Sequence, residues 1–263
     1  MKIKTYIINL KESTERREYV LAEVGKFKFP DIEIVDAVDG REMSESEKQK
    51  CFDIKRFWYI EKRYPLPGEI GCTLSHRECY RRLLNSKEEF ALILEDDVRF
   101  LAKEETVESL LKEAIGKIPN RPYIMTLSRH MIYYPKSEYQ VGQYSFCRVY
   151  HAWGTCAYLI NRKGAEVMQG IGKAYYVADD YREMARLGIR VHGIYPMLAI
   201  GKSEMGEILS SVQDEKDMDP DMKPPLFYRM RDHLLGKIRG FLFRLSFLKL
   251  RKDYMKIIDT GNS

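Results

Sequence analysis

The chain has 263 residues, enough to bury the core of one α/β domain plus an appendage, and its 44% apolar and 32% charged content excludes a disordered chain or an integral membrane protein. The net charge of +5 sits in one place: Leu226 to Asp253 holds eight Lys and Arg against two Asp, or +6, leaving −1 for the remainder. A basic appendage on a near-neutral body points to a surface tether rather than to a nucleic-acid binder.

Five scattered cysteines without a CxxC pair fit reduced thiols in a cytosolic protein better than a disulfide framework or a zinc site. The opening MKIKTYIINLKESTERR has too short an apolar run for a signal peptide, so export is not expected. Ile3 to Leu10 reads as a first strand. Val20, Leu21 and Val24 recur at helical spacing, with Gly25 closing that helix. Ile32, Ile34 and Val35 suggest a second strand, stopped at the turn dipeptide Asp39-Gly40, and Ser44 with Glu47 forms a capping box. This βαβ rhythm predicts an α/β fold, with helices covering a largely parallel central sheet.

In RYPLPGEIGCTLSHRECYRRLL, residues 63 to 84, Pro65 and Pro67 hold the chain extended and a helix begins near Cys72. Glu69 lies beside that helix start, where backbone N–H groups suit an anion, and His76 reads as a packed or surface histidine. Then comes FALILEDDVRF, residues 90 to 100. Its apolar run Ala91 to Leu94 suits a strand buried on both faces, and it runs into Glu95, Asp96 and Asp97. Burying three carboxylates without partners costs several kcal/mol per ion, so the triplet belongs where the strand emerges, facing water or a cation. Ligands of open α/β sheets gather at the carboxyl ends of strands, where a carboxylate pair seats Mg²⁺ or Mn²⁺. Taken alone, the triplet fits a solvated acidic turn equally well.

Tyr123 to Leu127 reads as a further strand and Arg129 to Gln143 as a polar loop carrying Tyr133 and Tyr134, while Tyr144 and Tyr150 read as strand residues. Small residues at Gly154 and Thr155 allow a ligand close to the backbone before the strand CAYLI, and Asn161 caps the next helix. In VADDYREMARLG, Asp179 reads as an N-cap, Asp180 as a first-turn acid and Gly188 as the C′ glycine. After a strand at Arg190 to Tyr195, the segment from Gly201 to Pro225 is polar and turn-rich. Ser210 and Ser211 are read as part of a flap closing the site, and the acidic stretch as a linker. Met230, Leu234, Ile238, Phe241 and Leu245 then recur at helical spacing among basic residues, the pattern of an amphipathic helix lying in a membrane interface. The alternative is a helix docked on the core or on a partner. The boundaries expected are 1–222 for the α/β domain and 223–263 for this helical segment.

YIINL with Arg16-Arg17 downstream, PGEIGCTLSH, LILEDDV and GTCAYLINRKGA occur in that order. Together they make the chain resemble the family 25 glycosyltransferases, the bacterial lipooligosaccharide galactosyltransferases with relatives that glycosylate collagen. The resemblance implies a GT-A-like nucleotide-binding sandwich, a UDP-galactose donor, a lipooligosaccharide or other glycan acceptor, and transfer with inversion. It implies Mn²⁺ or Mg²⁺ held by Asp97 with Glu95, and Asn9, Leu10, Arg17, Glu69, Asp96, Gly154 and Thr155 around the donor. Asp180, placed ahead of Asp179, is the expected base for the acceptor hydroxyl, and Tyr133 and Tyr134 are left open as stacking partners for sugar rings. Nucleic acid is not an expected partner. The expected location is cytoplasmic, peripheral on the inner membrane. The rival readings are a Mg²⁺-dependent phosphohydrolase using the same acidic cluster and a non-catalytic carbohydrate-binding membrane adaptor.

Overall fold

The computed structural model describes residues 2–117, 120–128, 131–203, 205–206 and 225–251. β1 (Ile3–Asn9), α1 (Thr14–Val24) and β2 (Pro30–Asp36) form a βαβ unit in which the two strands pair in parallel. α2 (Glu45–Cys51) starts at the expected box, with Ser44 N–H on Glu47 Oε2 at 2.8 Å, and α3 (Ile54–Glu61) and α4 (Pro67–Asn85) follow. β3 (Phe90–Glu95) pairs in parallel with β1, so the parallel block reads β2-β1-β3.

Beyond β4 (Val98–Phe100) and α5 (Glu104–Lys117), the chain lays down β5 (Tyr123–Thr126), β6 (Met131–Val141), β7 (Tyr144–Ala152) and β8 (Ala157–Asn161). α6 (Arg162–Gly170), α7 (Tyr181–Arg186), β9 (Arg190–Tyr195) and β10 (Ala199–Gly201) come next, then α8 (Leu226–Arg244) and β11 (Lys249–Arg251). Among the described residues the main sheet has nine strands in the order β11-β6-β7-β9-β5-β8-β3-β1-β2, and β4 and β10 form a separate ladder. The sheet is mixed: β8 runs antiparallel between β3 and β5, β9 is parallel to β5, and β7, β6 and β11 add antiparallel.

Side chains of β3 alternate between two apolar layers, as a strand covered on both faces requires. Leu92 and Leu94 pack with Val20 and Val24 of α1 and Leu110 and Leu111 of α5. Ala91 and Ile93 face the other way, toward Ile70, Tyr80 and Leu83 of α4 and Met168 of α6. The result is helix, sheet and helix in three layers.

Three expectations change. α4 begins at Pro67 rather than near Cys72, because proline is well suited to a first helical position, where its missing N–H costs nothing. This puts Gly71 inside the helix and against the loop after β2: a Cβ on Gly71 would lie 2.3 Å from Val38 O, and one on Gly40 would lie 1.8 Å from Pro67 O. Only glycines let the two backbones meet. Second, the expected polar loop over 129–143 is mostly strand β6, apart from 129–130, which lie outside the described residues. Its register against β7 shifts between Tyr134 and Tyr139, and that irregularity accommodates Pro135, which has no N–H to give a ladder. Third, the segment expected as helical holds a strand as well: α8 stops at Arg244, and β11 then pairs with β6, so the basic tail returns to the main sheet. The stretch containing Ser210 and Ser211 lies outside the described residues.

Candidate active site

A cleft opens at the carboxyl ends of β1 and β3, walled by the loop after β2 and the first turns of α4. Asn9 ends β1 fully buried. Its amide donates to Asp96 Oδ2 at 2.8 Å, and its carbonyl oxygen accepts from Arg17 Nε at 2.8 Å. Arg16 forms an ion pair with the other oxygen of Asp96. Burial pushes the Asp96 pKa up, and the Arg16 charge and the Asn9 hydrogen bond only partly offset it. Leu10 lines the same cleft, while Arg17 also reaches Asp36 at 3.1 Å. Arg16, which the sequence marks beside Arg17 but not as a donor contact, carries the direct contact to Asp96.

Glu95 meets a group of polar side chains from three elements. Its Oε1 accepts from Thr155 Oγ1 and lies 3.3 Å from His76 Nε2. His76 Nδ1 in turn sits 2.7 Å from Tyr158 Oη, which is 2.9 Å from Tyr80 Oη. Burial works against the Glu95 charge, but the His76 and Thr155 contacts outweigh it and hold the pKa below the usual value. His76 is therefore packed, as expected, but packed onto the acidic motif.

Asp97 is buried, and its Oδ2 accepts the Ser203 N–H at 3.0 Å as well as the Ser203 hydroxyl. Its Oδ1 has no hydrogen-bond partner. Burial, with the Glu95 charge, raises its pKa. An orphaned carboxylate oxygen that feels the Glu95 charge suits a hard divalent cation, but Asp97 is not among the residues lining the cleft. Cys72, His76 and Glu95 also bring three ligand atoms within 4.8 Å of one another, so the region is rich in potential ligands around Glu95.

The pair at 179–180 divides its work differently from the sequence reading. Asp180 is the N-cap of α7, accepting the Glu183 N–H at 3.0 Å, and it faces Arg182 at 4.0 Å and a crevice lined by Glu61 and Arg239. Asp179 precedes the cap and turns the other way, accepting the Gly154 N–H at 3.0 Å. Burial raises its pKa, and the Glu95 and Glu69 charges add to this against the Gly154 hydrogen bond. Gly154 has φ +78°, a conformation that favours glycine, and its carbonyl accepts from Tyr181 Oη at 3.0 Å. Thus Glu95 and Asp96 line the cleft, Thr155 bonds Glu95, Gly154 bonds Asp179, Asp97 and Asp179 feel the Glu95 charge, and Asp180 is turned to α7. Glu69 forms a bidentate pair with Arg63 at 2.6 Å and accepts the Leu66 N–H at 2.9 Å, and it is not among the residues lining the cleft. Tyr133 is buried against the core, whereas Tyr134 borders a different cavity described below.

Residues 2–182 match the profile of glycosyltransferase family 25, described as an LPS biosynthesis protein family. An α/β sheet with carboxylates at its strand ends is the class of scaffold such a family would use; the chain belongs to glycosyltransferase family 25. Procollagen galactosyltransferase 2 of Homo sapiens is 28% identical over 177 residues, covering 63% of this chain and 27% of that protein. A glycosyltransferase 25 family member of Aedes aegypti is 27% identical over 171 residues, covering 61% and 27%. The chain thus spans about a quarter of the length of these curated relatives. Among solved structures, the apo-form glycosyltransferase GlyE of Streptococcus pneumoniae TIGR4 aligns with a TM-score of 0.33 and 13% identity, covering 65% of this chain and 37% of that one.

Proposed function

We propose that this chain is a metal-dependent inverting glycosyltransferase that moves galactose from UDP-galactose to a terminal sugar of a lipooligosaccharide. The observation that carries this reading is the convergence of Arg16, Asp96, Glu95 and Asp179 on one region at the strand ends. Family membership supports the reaction class, its description supports the acceptor class, and the galactosyltransferase relatives support the donor sugar.

In this reaction the acceptor oxygen attacks C1 of the donor sugar while the bond from C1 to the diphosphate oxygen breaks, and UDP leaves with that electron pair. Asp179 takes the acceptor hydroxyl proton. Its raised pKa suits this, since a base closer to the working pH accepts a proton more effectively. Arg16, beside Asp96 on the cleft wall, offers positive charge to the diphosphate. A divalent cation held by Asp97 and Glu95 would neutralise charge building on the leaving group. Thr155 and His76 orient Glu95 for that task.

We assign peripheral membrane contact to α8. Its Phe227, Met230, Leu234 and Phe241 are each at least 58% exposed, and the same helix carries Arg229, Lys237 and Arg244, which complement an anionic leaflet. Among the described residues no helix is long and apolar enough to span a bilayer.

The test of the reaction is calorimetric titration of UDP-galactose, UDP-glucose and UDP into the protein with Mn²⁺ and then with EDTA. Metal-dependent binding that prefers UDP-galactose is expected. Binding of none of the three would overturn the transferase reading and favour hydrolysis or simple carbohydrate binding.

A further inference from the structure

A second cavity of about 400 Å³ shares no lining residue with the donor cleft. Five arginines border it: Arg121 before β5, Arg148 on β7, Arg182 and Arg186 on α7, and Arg190 opening β9. Arg186 has Glu183 at 2.9 Å and Arg182 has Asp180 at 4.0 Å. Arg121, Arg148 and Arg190 have no carboxylate within ion-pair reach among the described residues.

The sheet register explains why these three sit together. Arg148 pairs with His192 across β7 and β9, Arg190 lies two residues before His192 on the same face, and Arg190 pairs with Tyr123, two residues after Arg121. Burial, and then the Arg121 and Arg148 charges, lower the Arg190 pKa, so the three guanidiniums repel one another. The field is felt by neighbours: burial, with the Arg190 and Arg148 charges, lowers the His192 pKa to about 4, so no added positive charge forms there near neutral pH. Two tyrosines complete the cavity wall. Tyr134 lies under the Arg148 guanidinium at 5.2 Å and meets Tyr150 edge-on at 6.2 Å. Unbalanced guanidiniums call for an oxyanion that can accept several N–H donors, and aromatic walls suit the apolar face of a sugar ring.

We propose that this cavity binds a phosphate ester, with Arg121, Arg148 and Arg190 holding the phosphate and Tyr134 and Tyr150 the group that carries it. The aromatic wall favours a phosphorylated saccharide as the carrier. An anionic lipid headgroup offers the same phosphate chemistry, and α8 contributes Leu235 to the rim. The proposal is independent of donor transfer, because the cavity and the donor cleft have separate walls.

The experiment titrates the full chain with a hexose phosphate, with the matching neutral hexose and with inorganic phosphate, in the absence of any nucleotide, and separately with vesicles rich in anionic phospholipid. The wild-type protein should bind hexose phosphate, should bind the neutral hexose at least roughly tenfold more weakly, and should lose affinity as salt rises. The double variant Arg148→Gln with Arg190→Gln should bind hexose phosphate at least roughly tenfold more weakly while melting no lower than wild type, since it relieves repulsion. Vesicle binding that depends on these two arginines, without hexose phosphate binding, would keep the phosphate site and assign its source to lipid. Equal phosphate binding by wild type and double variant, or binding of neither probe by wild type, would overturn the proposal. UDP-sugar titration of the same variant, expected to be unchanged, separates this outcome from any failure of the transferase reading.

Discussion

Adjacent aspartates with opposite directions illustrate how one peptide unit separates a helix cap from a carboxylate that feels the acidic motif. Asp180 spends its carboxylate on the Glu183 N–H, while Asp179 faces Gly154 and the Glu95 charge. Asp179→Asn is expected to lower kcat by roughly 10²- to 10⁴-fold with donor affinity nearly unchanged, as loss of a general base does. Asp180→Asn keeps a good capping residue and should leave kcat near wild type, whereas Asp180→Ala should cost about 1 kcal/mol in unfolding free energy. Steady-state kinetics and denaturant melts of the three variants check this division, and a kcat collapse in Asp180→Asn alone would reverse it. The pH profile follows from the same geometry. Burial and nearby negative charge disfavour ionised Asp179, so its ionisation moves to higher pH, and because a base acts ionised, the rate rises through that raised value. The acid limb of kcat/KM should therefore lie above the ordinary aspartate value of about 3.9. Gly154→Ala forces a side chain onto φ +78° and misaligns the donor to Asp179, which should move the limb higher still.

At the level of elements, local patterns were readable where a single neighbour decides the structure. The Ser44 to Glu47 box, the cap at Asn161 and the apolar run of β3 all depend on residues close in sequence, and each forms as expected. What the chain did not disclose locally depends on distant partners. β6 is a strand because β7 and β11 offer it ladders, Pro135 being absorbed by a shift of register against β7. Nothing near residue 154 in sequence foretells that its N–H meets Asp179, or that His76 is locked between Tyr158 and Glu95. Among the described residues, α8 carries seven exposed large apolar side chains, and none of its residues is buried. Leu234→Glu with Phe241→Glu should release the protein from anionic vesicles in a sedimentation assay while leaving transfer to a soluble sugar intact. Retained sedimentation would remove α8 from the membrane contact. Point substitutions are the better tool than deletion, because β11 follows α8 and pairs with β6.

For the molecule as a whole, the acidic region is held at an electrostatic cost. Asp96, Asp97 and Asp179 all have raised pKa values, so the folded state binds their protons more tightly than the unfolded chain does. Their contribution to stability is full below about pH 3.9 and is lost as pH climbs through the raised folded values. A divalent cation that pairs with the ionised carboxylates should therefore raise the melting temperature at pH 7 to 8 and much less at pH 4. Asp97→Asn should melt higher than wild type without metal and respond less to it, as read by scanning calorimetry. A metal response as large in Asp97→Asn as in wild type would place the ion elsewhere. A different consequence follows from β11 being both the outermost strand at one edge and the last described strand in sequence. Translation releases it after the other described strands of the sheet, so a ribosome-held chain that stops short of residue 249 has β1, β2 and β3 free to assemble while the outer side of β6 still shows unpaired N–H and C=O groups. Copies that stop short of β11 would present the longer β6 as the border strand, where the chain that includes it presents only the three residues of β11.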